Sequence, residues 1–152
     1  MSLIVVSSCL FIYLLYLAIE RVYLSSVIDD IPIRICITGT RGKSSVVRLV
    51  HSALSKNGVK VLGKTTGSRP SLLLPDGREE EIYRRGPQTI LEQRKILRQA
   101  KNYDVDAYVI EMMSIKPEYK HVESVKILEP NIMGVTRIAL DHVSEMGKSK
   151  EE

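Results

Sequence analysis

The chain has 152 residues, 44% of them hydrophobic, a net charge of +4 and two cysteines. That length holds one ordinary domain, and the charge is too small and too dispersed to imply a nucleic-acid partner. The two cysteines, Cys9 and Cys36, each lie inside an apolar stretch, which excludes a disulfide framework and fits a reducing compartment.

Leu3 to Ile19 contains no charged residue. Seventeen helical residues reach about 26 Å, close to the hydrocarbon thickness of a bilayer. Glu20 and Arg21 can snorkel, and Val22-Tyr23-Leu24 prolong the apolar stripe, so residues 1–24 read as a single membrane anchor, with a buried core helix as the alternative. A cleaved signal peptide would need a basic leader and a small-x-small cleavage site, neither of which is present. Arg21 and Arg34 just after the span favour a cytoplasmic position for the bulk of the chain at the cell membrane. Residues 25–32, with Asp29-Asp30 and Pro32, read as a connector.

Ile33–Thr38 is almost continuously apolar, as in a strand with both sheet faces covered. It runs into Gly39-Thr40-Arg41-Gly42-Lys43-Ser44-Ser45, a glycine turn followed by Lys-Ser at a helix start. Such a turn lets successive backbone N–H groups face phosphate oxygens; Lys43 adds charge near the terminal phosphates and the Ser44 hydroxyl can ligate Mg²⁺. The spacing is G-x-x-G-K-S, shorter than the common P-loop, with Ile37 where that motif has its first glycine.

Helical periodicity continues to about Lys56, Asn57-Gly58 closes the helix, and Val59–Leu62 reads as a second strand, giving a βαβ unit and a parallel sheet. Leu72 to Glu79 reads as a small hairpin turning at Pro75-Asp76-Gly77. A helix is expected over 88–101, a strand over Ala107–Ile110 ending at Glu111, a helix from Pro117 to about Val125, and a strand over Ile132–Thr136 leading to Asp141-His142. The loose basic group Arg78, Arg84, Arg85, Arg94, Lys95 and Arg98 reads first as a solvated helix face and otherwise as a surface for an anionic substrate. In an open α/β sheet, ligands lie at the carboxyl ends of the strands. Those ends carry Gly39–Ser45, then Lys64-Thr65-Thr66-Gly67, then Glu111 with Ser114, then Asp141-His142. Ser44, Glu111 and His142 are the expected cation ligands there, and phosphoryl transfer from ATP by positioning and charge neutralisation is the implied chemistry.

Thr38–Ser45, the strand-end Glu111 and the late Asp141-His142-Val143-Ser144-Glu145-Met146-Gly147 resemble the Mur ligase superfamily of ATP-dependent amino-acid ligases. Gly63–Gly67, Glu111-Met112-Met113 followed by Pro117-Glu118-Tyr119, and Asn131-Ile132 resemble, in order, the ligase subunits of bacterial poly-γ-glutamate synthases. The resemblance implies the N-terminal part of a Mur-type central domain over residues 33–147, with a polar tail at 148–152. It also implies a reaction: ATP phosphorylates the carboxylate of a glutamate chain, and the amine of an incoming glutamate attacks the acyl phosphate. In that reading Lys43, Glu111 and His142 are catalytic, and Gly39 to Ser45 hold ATP, with Lys43 on its β/γ-phosphates. Ser44 and Glu111 bind Mg²⁺, His142 serves a second Mg²⁺, and Thr65 and Thr66 lie near the acceptor. The implied partners are glutamate, the poly-γ-glutamate chain and other membrane subunits. Arg137 stands where the family usually has Asn. Relatives are far longer, so the expectation is a truncated or split ligase that binds nucleotide weakly and does not turn over alone, the other half coming from a separate chain. The alternative expectation is a membrane-bound nucleotide-binding module for assembly or regulation, without ligase activity.

Overall fold

The computed structural model describes residues 2–138 apart from Ser68 and Arg85. β1 (Ile33–Thr38), β2 (Val61–Thr65), β3 (Ser71–Leu73), β4 (Glu79–Glu81), β5 (Ala107–Glu111) and β6 (Ile132–Val135) form one sheet in the order β4-β3-β2-β5-β1-β6. β2, β5, β1 and β6 are parallel, as the α/β reading expects, and the β3–β4 hairpin adds two antiparallel strands at one edge. Three consecutive glutamates occupy the outer strand β4, and their like charges discourage a further strand from pairing there.

β5 is buried along its whole length because it lies between β2 and β1 with both faces covered. Alternation along the strands feeds two cores. On one face Ile35, Ile37, Val61, Ala107 and Val109 meet Val47 of α2 (Lys43–Lys56). On the other, Cys36, Leu62, Tyr108 and Ile110 meet Ile96 and Leu97 of α3 (Glu92–Asn102), together with Ile127 and Leu128. Burial raises the Cys36 thiol and the Tyr108 hydroxyl well above their ordinary pKa values, so both stay neutral; the Tyr108 hydroxyl donates to the Leu128 carbonyl.

The first helix, α1 (Ser2–Asp29), is continuous. It is long and apolar enough to cross a membrane, and none of its most apolar window is buried inside the fold, unlike a core helix. Its inner end behaves differently: Leu24, Val27, Ile28 and the following Ile31 enter the core beneath α3. Residues 25–29, expected in a connector, stay helical because these side chains have a core to pack on. Two arginines of α3, Arg94 at 2.8 Å and Arg98, hold the Glu20 carboxylate, and Lys101 pairs with Asp30.

Three boundaries differ from the sequence expectation. β2 starts at Val61 and reaches Thr65, because Val59 still bonds back to Leu54 while Gly63, Lys64 and Thr65 pair with β3. α3 starts at Glu92; the residues before it form three-residue turns, with Glu92, Gln93 and Arg94 donating to Thr89, Ile90 and Leu91. The helix after Pro117 is α4 (Pro117–His121) followed by a π-helical segment, Val122–Leu128. Its wider turns bring Glu123, Ile127 and Leu128 to the interior, and Ser124 bonds back to the Lys120 carbonyl.

Candidate phosphate and cation site

The chain leaves β1 through α2 on one face of the sheet and leaves β5 through the π-helical segment on the other. A crevice therefore opens beyond the carboxyl ends of these two neighbouring strands. The turn after β1 fills it. Gly39 has φ +127°, and a Cβ there would lie 2.2 Å from Thr136 Oγ1, so both backbone angle and space require glycine. Gly42, at φ +87°, is the N-cap of α2 and brings no side chain to cap it. Helix geometry leaves the first N–H groups of α2 without intrahelical partners.

The turn is stitched to the segment after β6. Thr40 N–H and Oγ1 both donate to the Arg137 carbonyl, at 2.8 and 2.7 Å, and the Thr136 N–H and hydroxyl donate to Thr38 O. Arg137 thus supports the turn through its backbone, whatever side chain it carries. Arg41 and Ser45 are exposed on the outside of the turn.

Three of the sequence-selected side chains converge. The Ser44 hydroxyl donates to Glu111 Oε2 at 2.7 Å. Lys43 Nζ donates to Gly39 O at 2.8 Å and lies 3.9 Å from Glu111 Oε1. Glu111 is buried, and its Oε2 also accepts the Thr66 N–H at 2.9 Å. Gly67 lets that strand end approach closely, since a Cβ there would sit 3.3 Å from Ser44 Oγ. The two threonines are placed differently. Thr66 borders the cleft, whereas the Thr65 hydroxyl is committed to the hairpin through Ser71. Asp141 and His142 lie outside the described residues.

A cleft of about 200 Å³ lies over Gly39, Lys43, Thr66 and Glu111 and shares Gln88 and Met113–Ile115 with an adjoining groove of about 560 Å³. A larger cavity, about 870 Å³ between β4 and α3, shares no lining residue with this cleft and mixes Glu80 and Glu81 with Lys95 and Arg98. Its mixed charge and distance from the turn make it the weaker candidate. The expected basic face is largely spent on ion pairs: Arg78 with Asp76, Arg84 with Glu92, and Arg94 and Arg98 with Glu20.

Behind the site lies a buried polar network that sequence reading missed. Lys64, fully buried, donates to Gln93 Oε1 at 2.8 Å, contacts Met113 Sδ at 2.9 Å and pairs with Glu92 at 2.8 Å. Gln93 passes a hydrogen bond to Glu123 at 2.5 Å. Glu123 accepts the N–H groups of Met113 and Ser114 and the Ser114 hydroxyl, fixing the chain that follows Glu111. Burial pulls the Lys64 ammonium below its ordinary value, against the opposing pull of Glu92. Burial alone would raise the Glu92 carboxyl, but hydrogen bonds from Arg84 and Lys64 outweigh it and hold it at about 2. The sequence placed Lys64 just beyond the second strand, in Lys64-Thr65-Thr66-Gly67, and that position does not name its partners.

The donor set at the cleft suits a hard cation. A hydroxyl and a carboxylate 2.7 Å apart are Mg²⁺-type oxygen ligands, with room for phosphate oxygens to complete the shell. Among the described residues there is no group of three His, Cys, Asp or Glu side chains that would form a closed metal cage.

Residues 37–151 match the Mur ligase middle domain. The chain is 35% identical over 127 residues to the PGA synthase CapB of Bacillus subtilis (strain 168), an alignment covering 82% of this chain and 32% of that protein. It is 32% identical over 128 residues to the capsule biosynthesis protein CapB of Bacillus anthracis, covering 82% of this chain and 27% of the relative. The chain thus spans about a third of the length of these curated relatives.

Proposed function

Because this chain belongs to the Mur ligase family through its middle domain, we propose that it supplies the ATP-phosphate and cation side of a ligase that builds poly-γ-glutamate at a membrane. The observation that carries this reading is the junction of Ser44, Glu111 and Lys43 over the Gly39–Gly42 turn. Within the Gly39–Ser45 turn, the N–H groups at the start of α2 cradle the phosphates of ATP, while the Thr40 N–H stays on the Arg137 carbonyl and holds the turn. Lys43 leaves the Gly39 carbonyl to sit on the β/γ-phosphates, and its charge counters what accumulates during transfer. Ser44 and Glu111 would hold Mg²⁺, and the ion would supply positive charge to offset that of the phosphates.

The transferred phosphoryl group goes to the terminal carboxylate of a glutamate chain. The amine of an incoming glutamate then attacks the acyl phosphate, forming the amide and releasing phosphate. The groove shared by Gln88 and Met113–Ile115 offers room for that acceptor beside Thr66. Thr65 contributes by setting the β2–β3 turn, and His142 is assigned a second Mg²⁺ by family pattern. α1 anchors the assembly in the membrane, with other synthase subunits as partners in the bilayer.

Lys43→Ala in the whole synthase tests the reading. Polymer formation from ATP and glutamate should fall at least a hundredfold while the subunits still co-purify. Undiminished polymer would overturn the ligase role and leave an assembly or regulatory module.

A further inference from the structure

At the foot of α1 a groove of about 390 Å³ separates the helix from the π-helical segment, lined by Leu17, Arg21, Leu24, Arg94, Val125 and Lys126, among others. Leu17 belongs to the uncharged run Leu3–Ile19, and Glu20 is the first charge after it. If α1 spans a bilayer, as the proposed function has it, the groove starts in the acyl region and opens at headgroup level.

Its charges are unevenly matched. Glu20 faces two arginines, Arg94 and Arg98, which leaves one positive charge over. Arg21 and Lys126 are exposed and have no ion-pair or hydrogen-bond partner among the described residues. Glu129, also in the lining, offsets one of these cations, so the groove remains positive. Its apolar half continues upward along α1 through Leu14 and Leu10, which are exposed and share the helix face of Leu17. Val125, 48% exposed, adds an apolar side chain beside Lys126.

A cationic pocket joined to an apolar track matches one ligand shape: a phosphate ester carrying hydrocarbon tails. We infer that this groove binds the headgroup of an anionic phospholipid, with its acyl chains along Leu17, Leu14 and Leu10. The guanidinium of Arg21 suits the phosphodiester, and Lys126 adds a second point charge from the globular domain. A lipid so placed bridges α1 and the π-helical segment beside the Glu20–Arg94 ion pair, adding a second tie between helix and domain. The inference rests on α1 being a membrane span.

The test uses the full chain, extracted from vesicles of equal phosphatidylglycerol and phosphatidylcholine and examined by native mass spectrometry. The chain should retain phosphatidylglycerol preferentially. Each of Arg21→Ala and Lys126→Ala should lower that retention about fivefold, while Lys56→Ala at the far end of α2 leaves it unchanged. Circular dichroism should be unaltered, because both groove residues are exposed. Equal retention of the two lipids, or unchanged retention in the double variant, would overturn the groove. Complete displacement by millimolar glycerol phosphate would show a free-phosphate site and overturn the lipid assignment. Carbonate extraction from pure phosphatidylcholine vesicles separates the two readings. Loss of the chain from the membrane overturns the anchor and with it this inference, whereas retention without lipid preference overturns the groove alone.

Discussion

Lys43 and Lys64 both stand toward the carboxyl edge of the sheet, and both face a glutamate, yet the fold treats them in opposite ways. The Lys64 side chain is wholly buried with Glu92, Gln93 and Met113 around its ammonium. The Lys43 side chain is 23% exposed, with one backbone carbonyl at 2.8 Å and Glu111 only at 3.9 Å. A buried charge must be met by fixed partners or the fold loses stability, so Lys64 is part of the scaffold. A charge left half-open above a glycine turn can exchange its weak contacts for a ligand's. The two lysines divide the site into a part that holds shape and a part that binds.

The sharpest test of this division is loss of each lysine in turn. Lys64→Ala leaves a cavity and the buried Gln93 amide oxygen without its donor, while Glu92 keeps Arg84, and should cost about 2–4 kcal/mol in denaturant unfolding of the micelle-bound chain. Glu123→Ala should approach that, since it frees the buried N–H groups of Met113 and Ser114. Lys43→Ala should cost under about 1 kcal/mol while weakening Mg²⁺–ATP binding. Equal stability losses at the two lysines would erase the distinction.

A smaller effect probes the binding half alone. Gly39→Ala meets both a φ of +127° and the Thr136 hydroxyl at 2.2 Å, and should cost about 1–3 kcal/mol. Gly42→Ala has the positive φ of +87° but open space, and should cost about 1 kcal/mol. Similar thermal melts for the two variants would mean that the Thr136 contact does not constrain the turn.

The smallest effect is on acid stability and probes the scaffold. Glu92 is held at about 2, below its ordinary 4.5. The unfolded chain therefore binds the extra proton between these values, so this contribution is complete above pH about 4.5 and is lost as pH falls toward 2. Removing Arg84 should move the acid limb of unfolding to higher pH, and Lys43→Ala should leave it in place. Matching shifts in both would show that Glu92 does not report on the scaffold.

The parts written locally were legible in the sequence. The Gly39–Ser45 turn was readable because positive φ and an uncapped helix start demand specific residues at specific spacings. β1 and β5 were readable from continuous apolar runs, and the outer part of α1 from its lack of charge. Glu111 could be placed at a strand end and grouped with Ser44, but its bond to the Thr66 N–H could not be foreseen. The interior course of Lys64, the boundary of β2 and the π-helical segment were not legible. Each depends on a neighbour far along the chain: β3 for β2, Gln93 for Lys64, and the backbone of Met113 for Glu123.

By itself, then, the sequence determined a phosphate-type turn, the strands that carry it and an apolar helix at the start. The tertiary structure decided that β5 enters between β1 and β2, which brings Glu111 to Ser44 across 67 residues and to the Thr66 N–H across 45. It also decided that α1 ends inside the core. The physical reason is that local patterns fix backbone angles and which face is apolar, whereas strand order and charge pairing are set by which surfaces can bury one another.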